Sequence, residues 1–153
     1  MLTLSGASDI LKRLVGMKSS GSEVVTVYLA LSSTNGGTTG EGITEPNPVS
    51  APSYERVLIG RQGQSQTPLS MFSEPKIAED GVSVYIENIK EIHFNEVQEA
   101  WGELGYFALY ASAEGGIPTY VGELKEVIIP TINTVPIARK GNIRITLSPG
   151  KSE

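Results

Sequence analysis

Cysteine is missing from this 153-residue chain, and histidine occurs once, at His93. Without thiols there is no disulfide, no thiolate nucleophile and no Cys-based zinc site. A transition-metal site would rest on carboxylates and one imidazole, so neither a metal nor a cofactor is expected. Aspartate is scarce as well, at Asp9 and Asp80 only. Charged residues make up 19% of the chain, with 12 basic against 17 acidic side chains and a net charge of -5. Binding nucleic acid needs a concentrated excess of Lys and Arg to displace counterions from phosphates. The densest basic pairs here are Lys12-Arg13 and Arg139-Lys140, so nucleic acid is not an expected partner. Long apolar runs are lacking too: Val127-Ile128-Ile129 stops at Pro130, far short of the ~20 residues that cross a bilayer. Asp9, Lys12 and Arg13 interrupt Met1 to Met17 where a secretion signal would be continuous. The expectation is a soluble protein, made in a reducing cytoplasm, with no membrane insertion.

What the chain does have is glycine and proline, 17 and 9 residues, beside 39% hydrophobic residues. That balance favours short strands joined by many turns, with enough apolar mass for one domain spanning residues 1–153. One helix is predicted first. Ile10, Leu11, Leu14 and Val15 recur at helical spacing, with Ser8 as the N-cap and Gly16 as the stop. A helix this short is marginal alone, so its apolar side must dock on the domain or on a neighbour.

From Val24 to Leu31 the period becomes two, with Val25, Val27, Leu29 and Leu31 opposite Val24, Thr26, Tyr28 and Ala30. Both faces are largely apolar, which predicts a central strand. Residues 32–53 are rich in Gly, Ser, Thr, Asn and Pro and read as a surface loop longer than usual connections. Tyr54 to Arg61 reads as a half-buried strand ending in the polar Gln62–Gln66 turn. Val82 to Ile86 and Glu91 to Phe94 read as two short strands around a polar bend at Asn88 and Lys90. In Leu104 to Ala111, Leu104, Tyr106, Ala108 and Tyr110 alternate with Gly105, Phe107, Leu109 and Ala111. Glu114-Gly115-Gly116 then supplies a hairpin turn into Thr119 to Lys125, because Gly takes positive φ without steric cost. Separate pieces follow at Val127 to Ile129 and Val135 to Ala138. Lys140-Gly141-Asn142 turns the chain into a last strand with Ile143, Ile145 and Leu147 on one face. About seven to nine short strands without βαβ alternation predict an all-β fold, a β-sandwich or jelly roll with one short N-terminal helix.

Catalytic constellations are not legible. His93, between Ile92 and Phe94, reads as an ordinary strand residue. Glu87, Glu91, Glu96, Glu99 and Glu103 read as a solvated face, since glycosidase chemistry needs two carboxylates facing one cleft. The Asn35–Gly42 stretch lacks the Gly-Lys-Ser/Thr ending of a phosphate loop and has no helix after it, so it reads as a flexible loop. No Gly-x-Ser-x-Gly elbow occurs. The chain is therefore expected not to be an enzyme. Tyr54, Arg56, Trp101, Tyr106 and Tyr110 are the candidate interface residues, as aromatic and Arg side chains anchor contacts. For Trp101 the alternatives are a sugar-stacking platform, an interface anchor or a plug for the end of the core.

The order of several segments resembles a family of small bacteriophage virion structural proteins, often labelled tail-fibre proteins. The stretches that carry the likeness are Val27-Tyr28-Leu29-Ala30-Leu31, Gly42-Ile43-Thr44-Glu45-Pro46 and Ser53-Tyr54-Glu55-Arg56-Val57. Farther along are Trp101-Gly102-Glu103-Leu104-Gly105-Tyr106-Phe107-Ala108-Leu109-Tyr110, Gly115-Gly116 and Gly141-Asn142-Ile143-Arg144-Ile145-Thr146-Leu147. Between Arg61 and Glu91 the chain is longer and more polar than that pattern. The resemblance implies a structural role in the virion and no catalytic residues. It implies other virion proteins as partners, assembly as a homo-oligomer, and synthesis in the host cytoplasm. A tail-associated fibre adaptor, collar or baseplate component is the leading expectation. A capsid decoration protein, a carbohydrate-binding module for a host glycan and a glycan hydrolase are the alternatives.

Overall fold

A computed structural model describes residues 4–15, 25–62 and 71–148. The helix α1 (Leu4–Leu14) buries Ala7 and Leu11, Val15 just past its end extends the same four-residue apolar stripe, and the helix packs on β4 (Val84–Glu87) and β9 (Arg144–Leu147). Lys12 and Arg13 occupy its last turn, where cations complement the helix dipole. Contrary to expectation, Ser8 is inside the helix and does not cap it, because the buried stripe continues one turn upstream to Ala7. The expected stop, Gly16, lies outside the described residues.

Four antiparallel strands form the larger sheet in the order β2 (Val57–Gln62), β1 (Val25–Ser32), β6 (Leu104–Tyr110), β7 (Tyr120–Ile128). As its two apolar faces predict, β1 is central: Val27, Leu29 and Leu31 enter the main core and Ala30 is buried on the opposite face. The predicted hairpin joins β6 to β7, with Gly115 and Gly116 both at positive φ. Two readings of this region need correction. Leu104 pairs with Ile128 while Tyr106 pairs with Glu123, a bulge that breaks the alternation at Gly105. Leu104 therefore joins Phe107 and Leu109 in the core instead of lying with Tyr106, Ala108 and Tyr110. Moreover, β7 is one continuous strand where two pieces were expected. Where it leaves β6, its Lys125 and Glu126 amides donate to the Asn142 carbonyl and Oδ1 at 3.2 and 2.7 Å.

A second antiparallel sheet has the order β3 (Lys76–Ile77), β4 (Val84–Glu87), β9 (Arg144–Leu147), and β5 (Ile92–His93) pairs with β8 (Ile137–Ala138). The bend expected at Asn88 joins these pieces. Buried Asn88 donates to the Lys90 and Arg139 carbonyls, both at 2.9 Å, and accepts the Ile143 amide at 3.0 Å, so its desolvated amide is satisfied. The exposed two-residue β3 was not foreseen. One core cluster unites Leu29, Phe107 and Leu109 of the larger sheet with Ile86 and Ile145 of the second and Leu11 of α1. The fold is thus all-β and sandwich-like with one short helix, and no barrel closes among the described residues.

Candidate functional site

Past β1 the chain folds back over the outer face of the larger sheet. The Thr44 amide donates to Ser32 Oγ at 2.9 Å, Ser33 donates to the Thr44 carbonyl at 3.1 Å, and the Thr34 hydroxyl donates to the Gly42 carbonyl. Ile43 packs on Ala30, Ala108 and Tyr110, beside Val121. Close approach explains the glycines: a Cβ on Gly42 would lie 2.4 Å from the Asn35 carbonyl oxygen, and one on Gly36 2.8 Å from Val121 Cγ1. The segment read as a flexible loop is therefore a hydrogen-bonded cover held on the sheet.

Its end supplies Glu45 to a buried ionic network. Arg56 Nε and one terminal nitrogen donate to the two Glu45 carboxylate oxygens at 3.1 and 2.8 Å, the forked geometry that suits guanidinium to carboxylate. The other terminal nitrogen donates to the Ser112 and Gly115 carbonyls at 3.0 and 2.9 Å, tying the network to the β6–β7 turn. The guanidinium carbon stands 3.5 Å from the centre of the Tyr110 ring. Tyr54 donates its phenol proton to Glu45 at 2.7 Å and accepts the Leu31 amide at 3.0 Å. Side-chain exposure is 6% for Arg56 and 21% for Glu45.

These surroundings move proton affinities. Burial pushes the Tyr54 phenol well above its ordinary value, and the negative charge of Glu45 and the hydrogen bond to it push the same way. Tyr110 is raised by burial and by Glu45, with Arg56 opposing. For Arg56, burial works against the charged form, yet the hydrogen bonds and charge of Glu45 outweigh it and the net shift is upward.

Trp101 belongs to an adjoining knot. Its indole N–H donates to Ser53 Oγ at 3.0 Å, its ring meets Tyr54 edge-on at 5.3 Å, and Ser53 Oγ donates to Glu99 at 2.5 Å. Four of the five candidate residues, Tyr54, Arg56, Trp101 and Tyr110, are thus brought together, while Tyr106 sits half-buried in β6 apart from them. They face inward. Trp101 and Tyr110 are each 5% exposed, so Trp101 plugs the core and has no open face for a sugar or a neighbour. Glu45 and Ser53 complete the network and were not singled out, although they lie in the Glu-Pro and Ser-Tyr-x-Arg stretches quoted above; Glu99, expected on a solvated face, is instead half-buried because its carboxylate accepts from the Ser53 amide and hydroxyl. His93 is an exposed strand residue.

Beside the network lies a cleft of about 450 Å³ lined by Glu45, Pro46, Tyr54, Glu55, Arg56 and Glu114 among others. Glu45 is engaged by Arg56 and Tyr54, and Glu55 and Glu114 are exposed. Among the described residues no three His, Cys, Asp or Glu side chains gather as a metal site, and no helix is long and apolar enough to cross a membrane.

Glu45, Tyr54 and Arg56 thus brace the loops of this β fold, and comparison with known families specifies what kind of protein carries it. Over residues 7–146 the chain matches the family model described as Podophage GP4 fiber I protein gp80. It belongs to that family and is a phage tail-fibre-like structural protein, virion-associated and assembling with other virion proteins. None of the curated proteins matches it.

Proposed function

We propose that this protein is a non-catalytic, tail-associated subunit, a fibre adaptor, collar or baseplate component, that acts through the shape of its loops. The Glu45–Arg56–Tyr54 network carries this reading: its polar groups satisfy one another and fix three loop segments together, which is what a docking surface requires. Support against a hydrolase comes from the cleft, where one of three carboxylates is locked in an ion pair and the others have none of the burial a general acid uses. Burial of Trp101 weighs against a glycan platform, and the fibre family favours the tail over capsid decoration. The net charge of -5 supports partners that are proteins and not nucleic acid. Synthesis in the host cytoplasm is part of the proposal and agrees with the absence of cysteine.

The test is complementation of particles assembled without this chain. Adding the purified protein should restore fibre attachment and adsorption, and Arg56→Ala should restore it poorly. Full adsorption by particles lacking the chain, or release of sugar from host polysaccharide by the chain alone, would contradict the proposal.

A further inference from the structure

One Asn-Gly pair occurs in the chain, Asn35-Gly36, just past β1 at the start of the cover segment. Glycine after asparagine leaves its backbone nitrogen open to add to the side-chain carboxamide, because no Cβ shields it. The other five asparagines are followed by Pro48, Ile89, Glu96, Thr134 and Ile143. Proline has no N–H to lose, and the rest carry side chains that crowd the nitrogen, most of all the three branched at Cβ.

The fold keeps this pair reactive. Asn35 is exposed, and its Oδ1 accepts the Gly37 amide at 2.9 Å. That bond closes a small ring holding both the carboxamide carbon and the Gly36 nitrogen, and it polarises the carbonyl toward addition. Among the described residues the Gly36 amide has no acceptor and the Asn35 side-chain nitrogen no partner, so no hydrogen bond must break before either reacts. Asp80-Gly81 is the contrasting case. There the Gly81 amide donates to the Ala78 carbonyl at 3.0 Å, and a carboxylate is a weaker electrophile than a carboxamide.

We propose that Asn35 is a self-modification site whose conversion to aspartate and isoaspartate loosens the cover. Hydroxide takes the Gly36 amide proton and the nitrogen bonds to Asn35 Cγ, closing a succinimide ring. The Cγ–Nδ2 bond breaks, and Nδ2 leaves as ammonia with a proton from water. Water then opens the imide at Cγ, giving aspartate, or at the main-chain carbonyl, giving isoaspartate; nothing is oxidised or reduced. Isoaspartate routes the main chain through Cβ, which lengthens it by a methylene, and turns the Asn35 carbonyl that Gly42 packs against into a free carboxylate. The turn has no slack for either change. The Gly36 carbonyl accepts the Gly40 and Gly42 amides at 3.0 and 3.4 Å, and a Cβ on Gly36 would already lie 2.8 Å from Val121 and 2.9 Å from Ile43. Ile43 then loses its seat on Ala30, Ala108 and Tyr110, while the Glu45–Arg56–Tyr54 network still holds the far end of the cover.

Peptide mapping by mass spectrometry, after the purified full chain has aged in mildly alkaline buffer, tests this beside Asn35→Gln, whose carboxamide would need a larger and slower-forming ring. The folded wild type is expected to gain about one mass unit at residue 35. It should do so on the order of tenfold or more faster than at any other asparagine, with isoaspartate detected by enzymatic methylation. Limited proteolysis should cut the aged wild type within residues 33–44 on the order of tenfold faster than fresh protein or aged N35Q, as local opening requires. Urea midpoints check that N35Q folds, and the fresh and aged wild type carry the comparison without it. Residue 35 unchanged in the folded chain overturns the proposal, and so does conversion that leaves cleavage of the cover as it was.

Discussion

Arg56 distributes its guanidinium among Glu45, the Ser112 and Gly115 carbonyls and the face of Tyr110. Removing it strands a carboxylate and two carbonyls in a largely buried site. Arg56→Ala should therefore cost about 3 to 5 kcal/mol of unfolding free energy in urea titrations, as expected for breaking one half of a buried pair. Arg56→Lys should recover only part, because an ammonium cannot reproduce the fork or the stacking. Tyr54 gives a pH signature. Its phenol is held above its ordinary 10.0 by burial and then by Glu45, so the stability it contributes is full below that value and is lost as pH rises beyond it. The urea midpoint should decline above about pH 10. In Tyr54→Phe that alkaline decline should be shallower, although the variant is less stable near neutrality. An equal alkaline slope in the two proteins would show that Tyr54 does not ionise from a buried, Glu45-facing position.

Elements differ in how far sequence specifies them. The alternation in β1 and β9 and the Gly115-Gly116 turn were legible because period and turn chemistry are local. The bulge at Gly105 was not, since register belongs to a pair of strands and the apolar count of β6 is the same either way. The start of α1 was misplaced because tertiary burial of Ala7 outweighed the capping preference of Ser8. In the candidate site, residue types pointed to Tyr54, Arg56, Trp101 and Tyr110 but not to their direction. Arg56 turns inward for partners 11, 56 and 59 positions away in sequence, which no local pattern encodes. Two predictions belong to this scale. Leu29→Ala or Phe107→Ala should cost about 2 to 5 kcal/mol if these strands form the core, and an unchanged urea midpoint would show otherwise. Gly42→Ala should destabilise by about 1 to 3 kcal/mol through overpacking against the Asn35 carbonyl. Gly37, at positive φ with open space around a Cβ, should lose only about 1 kcal/mol or so on the same change.

For the whole molecule, the main core binds both sheets and the helix, while the cover segment and the β6–β7 turn are braced from beneath by one ionic network. Glu45, Arg56 and Tyr54 fix the shape of those loops. Family membership sets the context in which such a shape is used, a fibre of a phage tail. Immunogold labelling of intact particles, viewed by electron microscopy, tests this most directly. The account expects gold on the tail, at or near the fibres, and none on particles assembled without the chain. Label confined to the head, or no label on mature particles, would contradict it.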